Sequence, residues 1–228
     1  EYPSTPAEAF QVSTEGNYYA KDMAALRRRG GVCDVPVLDL PVNTFWDIGN
    51  SDGCAVWFHQ EMRGEDRFVD YEEGHNEDLR HYVAQLNKRG HVWGTMYLPH
   101  DADHQRLSDF NKSTRQMLQE LMPGVKFMVV PRISELQTGI FATRKHMKGA
   151  WIDRSRCEKG IQRLDGYRKK YSTVQAKFVD EPDKANGCSE GADALRQWAQ
   201  AKELGWLNDL STAPAAQATT TYEPPPPP

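Results

Sequence analysis

The feature that most constrains the fold is a row of three β-like segments followed by alternating helical and β-like segments. The first three, VNTFWDI, GCAVWFHQEM and DRFVDYEE, are rich in β-branched and aromatic residues and are separated by the turn-prone GNSDG and RGED, which predicts an antiparallel meander. Helical periodicity follows in NEDLRHYVAQLNKRG and STRQMLQELMPG, alternating with the β-like HVWGTMYLP and VKFMVVP. Further helical patterns cover SELQTGIFATRKHM, RCEKGIQRLDGYR and ADALRQWAQAKELG, with GAWID as a short apolar link. This order predicts an α/β fold, a mixed sheet with helices on its faces.

The two ends of the chain differ in composition from the middle. NYYAKDMAALRRRGG predicts a helix before the first strand, and the Pro-rich STAPAAQATTTYEPPPPP is too poor in apolar residues to fold. The predicted organisation is a linker and helix over 1–41, one domain over 42–208 and a disordered tail over 209–228. No apolar run is long enough to span a membrane, and the N-terminal residues lack a signal core, so a soluble intracellular protein is expected.

Three acidic residues lie where a fold of this kind directs side chains toward one site. Asp47 ends the β-like TFWDIG, Asp101 follows the β-like run that Pro99 stops, and Asp193 opens an amphipathic helical stretch. Converging carboxylates provide the oxygen ligands that Mg²⁺ prefers. Two such ions about 4 Å apart can activate water and stabilise the leaving oxygen of a phosphodiester. The acids therefore predict a metal-dependent nuclease.

Auxiliary ligands and a competing metal site are also present in the sequence. Asp103 is a possible helper of Asp101, and Asp52 is a weaker candidate because Asp in a turn needs no functional reason. Glu190 precedes Asp193 by one helical turn and could reach the same place if the helix starts early. His100 and His104 have the spacing of a zinc-binding helix, which leaves a zinc hydrolase as an alternative.

The net charge of −4 conceals an uneven charge distribution. Between Arg144 and Lys177 there are eleven Lys or Arg and only three Asp or Glu. Such a segment predicts a face that binds phosphates, although a solvated basic face is the alternative. The candidate DNA-binding residues are Arg144, Lys145, Lys148, Arg154, Arg168, Lys169 and Lys170.

Several motifs in a fixed order carry a resemblance to a known family. EYPSTPAEAF, FWDIGNSD, YLPHDAD, GIFATRKHM with WID and YRKKY after it, and GADALR together resemble the C-terminal nuclease domain of large terminase subunits, over roughly residues 1–205. These subunits are the genome-packaging motors of tailed double-stranded DNA bacteriophages. The resemblance implies an RNase H-like fold and an endodeoxyribonuclease that cuts concatemeric viral DNA with two Mg²⁺ or Mn²⁺ ions. By motif match, the catalytic and metal-binding acids are Asp47, Asp101 and Asp193. Relatives often carry a pattern like SHxAD before the third acid, whereas this chain has SEGAD with Glu190.

The resemblance also implies partners and a location. The expected partners are double-stranded DNA, an ATPase domain that normally precedes EYPST in the same polypeptide and is missing from this sequence, the portal protein and the small terminase subunit; no membrane partner is expected. The expected location is the host cytoplasm, on a motor docked to the procapsid and outside the mature virion. This chain is expected to be a monomer. Two alternatives use the same fold: another RNase H-like nuclease, such as a resolvase or transposase core, and a non-catalytic portal-docking module.

Overall fold

The computed structural model describes residues 15–49, 53–105 and 111–207. The strands are β1 (Val32–Cys33), β2 (Val42–Ile48), β3 (Cys54–Met62), β4 (Glu65–Gly74), β5 (Trp93–Leu98), β6 (Lys126–Val129), β7 (Trp151–Asp153), β8 (Lys169–Ser172) and β9 (Lys177–Pro182). The α-helices are α1 (Ala20–Arg28), α2 (Leu79–Arg89), α3 (Thr114–Leu121), α4 (Leu136–Met147), α5 (Glu158–Gly166) and α6 (Ser189–Glu203). Short 3₁₀ turns cover His100–Asp103 and Lys184–Asn186.

Seven strands form one mixed sheet in the order β1-β7-β4-β3-β2-β5-β6, and β8 and β9 form a separate hairpin. The strands β2, β3 and β4 are antiparallel neighbours, which confirms the predicted meander. On one side β5 and β6 add in parallel to β2, and on the other side β7 and β1 add in parallel to β4. The predicted fold class, an α/β fold with a mixed sheet flanked by helices, is confirmed.

Each face of the sheet packs against helices. Successive side chains of a strand point to opposite faces, so neighbouring residues of one strand belong to different cores. Phe45 and Trp57 belong to a core that contains the buried residues of α1, α4, α5 and α6. Trp46 and Phe58, their immediate neighbours in the chain, belong to a second core with α2 and α3. The central strand β3 is buried over nearly its whole length, first as an apolar run over 54–58 and then through the buried polar residues His59, Gln60 and Glu61.

The helix α6 packs on the face of the sheet that contains Phe45 and Trp57, and hydrogen bonds fix it there near both ends. Near its start, Trp57 Nε1 donates a hydrogen bond of 2.8 Å to the carbonyl oxygen of Gly191. Gly160 on α5 lies against the same indole, and a Cβ added there would come within 2.5 Å of a Trp57 ring carbon. Near the end of α6, Trp198 and Lys202 bind Asp66 of β4. These contacts fix the helix that carries Asp193.

Three elements differ from the sequence-based expectation. GAWID is not a simple link, because Trp151–Asp153 form β7, which pairs with both β4 and β1. The hairpin β8–β9 and the two-residue β1 have no counterpart in the prediction. The helix α1 matches the prediction, but its Met23 and Leu26 belong to the core and β1 is an edge strand of the sheet, so this segment is part of the folded domain. The domain limits at 41/42 and 208/209 remain predictions. In the described parts of the chain, no helix has the length and apolar character needed to cross a membrane.

Candidate functional site

The ends of β2 and β5 place two of the predicted acids at the same edge of the sheet. Phe45 pairs with Tyr97 in parallel register, so Asp47 lies level with Pro99, where β5 has ended. Asp101 follows in the 3₁₀ turn that begins at His100. Because Asp47 is two residues beyond Phe45, its side chain points to the α6 face.

The third acid approaches this edge from α6, which begins earlier than predicted. The helix starts at Ser189, so Asp193 lies in its second turn rather than at its start. The early start brings Glu190 and Asp193 one turn apart on one face, as the auxiliary role of Glu190 requires. The Glu190 Oε2 atom is buried and has no hydrogen-bond partner.

The acids influence one another strongly. Burial and the neighbouring charge of Asp193 raise the pKa of Asp47 well above its ordinary value, and Glu190 and Asp101 add to this effect. Burial also raises the pKa of Asp193. The side chain of Asp193 is still 24% exposed, so the carboxylates are recessed but reachable by solvent. Among the described residues, no hydrogen bond or ion pair neutralises the Asp47 carboxylate.

Two cationic residues and a phenol that the sequence analysis did not identify surround Asp193. Arg196 forms an ion pair with Asp193 at 2.8 Å, and its charge lowers the pKa of both Asp193 and Asp47. The charge of Lys184 also lowers the pKa of Asp193. The hydroxyl of Tyr167 lies 3.5 Å from Asp193 Oδ1. The i, i+3 spacing of Asp193 and Arg196 is the one signal in the sequence for this pair.

The donor set has the chemistry that a hard divalent cation prefers. All four acids offer carboxylate oxygens, and a cation would relieve both the mutual repulsion and the unpartnered Oε2 of Glu190. Over residues 15–49, 53–105 and 111–207, however, no three acidic, His or Cys side chains are already gathered at metal-binding distance. The site roles of Asp47, Asp101 and Asp193 remain predictions.

The other candidates have different surroundings. Asp103 forms an ion pair with Arg115 at 2.6 Å. Asp52 lies outside the described residues. His100 and His104 are exposed, and a four-residue 3₁₀ turn that ends in extended backbone does not give them the common face of an α-helix.

The basic residues do not form one free cationic surface. Lys148 directly after α4 and Lys170 in β8 are exposed and have no ion pair with any described residue. The other five candidates are paired with acids, as Arg144–Asp22, Lys145–Glu203, Arg154–Asp34, Arg168–Asp183 and Lys169–Asp180. Arg144 also donates to the carbonyl oxygen of Tyr18, which gives it a structural role. Their assignment to a DNA-binding face remains a prediction.

Comparison with solved structures places the fold among phage packaging proteins. The chain is similar to the large terminase of a thermophilic bacteriophage in complex with ATP-gamma-S, with a TM-score of 0.58 and 14% identity over 78% of this chain and 44% of that chain. It is similar to the large terminase nuclease of thermophilic phage G20c with bound magnesium, with a TM-score of 0.53 and 12% identity over 81% of this chain and 96% of that chain. The g2p large terminase nuclease domain of bacteriophage SPP1 with bound Mn matches with a TM-score of 0.50 and 10% identity over 72% of this chain and 86% of that chain.

The matched length differs between the whole large terminase and the separate nuclease domains. The chain spans less than half the length of the large terminase bound to ATP-gamma-S, but most of the length of the separate nuclease domains. No family model matches the sequence, and no curated protein matches it either. The fold is that of large terminase nuclease domains, as the sequence motifs predicted.

Proposed function

We propose that this chain is a metal-dependent endodeoxyribonuclease that cleaves concatemeric viral double-stranded DNA during genome packaging. One observation carries the proposal: Asp47 and Asp193, from the end of β2 and from α6, converge with Asp101 and Glu190 near enough to raise the pKa of Asp47. Asp47 lies at one edge of the RNase H-like sheet, and Asp193 belongs to the helix α6 that covers this face. A buried acid such as Asp47, which has no ion pair with a described residue, is costly, so a functional cation is the simplest reason to retain it.

In this proposal, four acidic residues act as ligands of the divalent cations. Asp47, Asp101 and Asp193 would hold the divalent cations, Mg²⁺ or Mn²⁺, with Glu190 as an additional oxygen ligand. Two bound cations would supply an activated water and stabilisation of the departing 3′ oxygen. The recessed position of the carboxylates limits competing bulk water while the 24% exposure of Asp193 leaves a path for a phosphate.

The DNA and protein partners follow from the same proposal. Lys148 and Lys170 are free to contact the duplex backbone, which positions DNA without reading its sequence. In a packaging motor, this domain would work with an ATPase domain of the same polypeptide, the portal protein and the small terminase subunit. Its location would be the host cytoplasm.

Plasmid cleavage tests the proposal. Supercoiled and linear plasmids are incubated with Mg²⁺, Mn²⁺ or EDTA and with the wild type or Asp47→Asn, Asp101→Asn or Asp193→Asn. Cleavage should require metal and should fall by at least about 100-fold in each variant, since each removes a ligand charge. Asp103→Asn is the matched control, because this acid lies two residues from Asp101 but is paired with Arg115. It should retain cleavage.

The same cleavage assay distinguishes the proposed nuclease from the alternative functions. Cleavage in EDTA, or equal activity in Asp47→Asn and the wild type, would contradict the metal site. A strong preference for four-way junctions over linear duplex would indicate a resolvase. Absence of cleavage, together with binding to a portal protein, would indicate a docking module.

A further inference from the structure

Arg196 supplies the positive charge nearest to the acidic cluster. Its Nη1 atom lies 2.8 Å from Asp193 Oδ1 and 3.4 Å from the hydroxyl of Tyr167, and the side chain is 15% exposed. The Arg196 charge also acts on Asp47 at the end of β2. A single guanidinium therefore offsets the repulsion between acids that come from two different elements.

The position of this guanidinium is determined by its surroundings. Gly139 on α4 faces the side chain of Arg196, and a Cβ added at Gly139 would lie 2.5 Å from Arg196 Cδ. The missing side chain thus provides the space in which the arginine stem lies. Tyr167 is fully buried on another side, and Asp193 lies one helical turn before Arg196. A guanidinium held in this way is a defined part of the site rather than a mobile surface charge.

A divalent cation and Arg196 require the same carboxylate. Cations of this class lie about 2.0–2.6 Å from their oxygen ligands. A metal at that distance from Asp193 would be within a few ångströms of the guanidinium if Arg196 kept its present ion pair, and the two positive charges would repel each other. Arg196 on Oδ1 therefore opposes a cation on the same carboxylate, and withdrawal of the guanidinium would strengthen cation binding.

We propose that Arg196 is the internal counter-ion of the acidic cluster, and that a divalent cation binds by displacing it from Asp193. The inference rests on the proposed function, because it takes the cluster to be the metal site. Arg196 is a positioning residue: it stabilises the acids before metal arrives and weakens metal binding until it moves.

Calorimetric titration of Mn²⁺ into the full chain tests this competition. Arg196→Gln removes the charge and should bind Mn²⁺ on the order of tenfold more tightly than the wild type. Its melting temperature in EDTA should be lower, and its rise on adding Mn²⁺ should be larger. Arg196→Lys keeps the charge and should retain nearly the wild-type affinity.

A matched arginine separates loss of stability from loss of competition. Arg89 is 18% exposed and forms ion pairs with Asp70 and Glu72 on the opposite face of the sheet. Arg89→Gln should lower the melting temperature and leave Mn²⁺ affinity unchanged. Should Arg196→Gln fail to fold, Gly139→Ala displaces the arginine stem instead and should also tighten Mn²⁺ binding.

The outcomes distinguish this inference from the proposed function. Equal or weaker Mn²⁺ binding by Arg196→Gln, with clear binding by the wild type, would overturn the counter-ion role alone. No binding by the wild type, Arg196→Gln or Gly139→Ala would overturn the metal site and the inference together.

Discussion

Removing the charge of Asp66 should destabilise the helix that carries the candidate site. Asp66 on β4 is 5% exposed and accepts a hydrogen bond of 3.0 Å from Trp198 Nε1. His59 Nε2 lies 3.0 Å away, and Lys202 forms an ion pair with the same carboxylate. Because Trp198 and Lys202 belong to α6, the single carboxylate ties that helix to the meander.

The magnitude follows from the protonation of Asp66. Burial alone would raise the pKa of this carboxyl, but its hydrogen bonds with His59 and Lys202 and their charges outweigh burial and lower it to about 2. Relative to an unfolded value of about 3.9, this corresponds to about 2–3 kcal/mol of folding free energy at neutral pH. A lowered folded pKa means that this stability is present above pH ~4 and is lost as the pH falls toward 2.

Urea unfolding at pH 7 measures this contribution. Asp66→Asn should lower the free energy of unfolding by about 2–3 kcal/mol. Asp165→Asn is the control, because its ion pair with Arg27 is 41% and 44% exposed and should contribute less than about 1 kcal/mol. Between about pH 4 and pH 2 the wild type should lose stability that Asp66→Asn does not. Equal losses in the two variants, or identical acid profiles of Asp66→Asn and the wild type, would refute the reasoning.

Three further predictions concern the site, the core and the DNA-binding surface. Burial and neighbouring charge raise the pKa of Asp47, so its ionised form opposes folding increasingly as the pH rises above about 4. Asp47→Asn should therefore raise the melting temperature in EDTA at pH 8 more than at pH 4. A lower melting temperature of this variant at pH 8 would contradict the prediction. Gly160→Ala should cost about 1–3 kcal/mol in urea unfolding because its new Cβ meets a buried indole, whereas Gly149→Ala, with open space around it, should cost far less. Lys148→Ala and Lys170→Ala should each weaken duplex binding and reduce the slope of log K against log salt by about 1; unchanged slopes would remove these lysines from the interface.

The elements with a clear period could be predicted from the sequence, and the short or polar ones could not. Helices α1–α6 of the described residues repeat their apolar residues often enough to reveal a period, and the meander strands are marked by β-branched and aromatic residues between turn-prone segments. The strand Trp151–Asp153 has three residues, too few to show alternation, and exists because β4 and β1 pair with it. The hairpin β8–β9 is mostly polar and solvent-exposed, so no apolar face marks its strands.

A site residue could be predicted from the sequence only where its polarity differs from that of its neighbours in the chain. Asp47 is recognisable as an acid among Phe, Trp and Ile, and in the structure the charge of Asp193 raises its pKa. Arg196 is not recognisable in this way, because an arginine on an amphipathic helix ordinarily faces solvent. Its inward direction depends on the space at Gly139, a contact between α4 and α6 that no local pattern encodes. The ion pairs that occupy most of the basic segment are likewise tertiary, so counting charges overstates the free cationic surface.

The most direct test of the central claim is anomalous diffraction from crystals of this chain soaked in Mn²⁺. The account predicts Mn²⁺ peaks between the carboxylates of Asp47 and Asp193, with Asp101 or Glu190 completing the ligands and Arg196 withdrawn from Asp193. Peaks only elsewhere, or none at saturating Mn²⁺ with the ion pair of Asp193 and Arg196 intact, would contradict it.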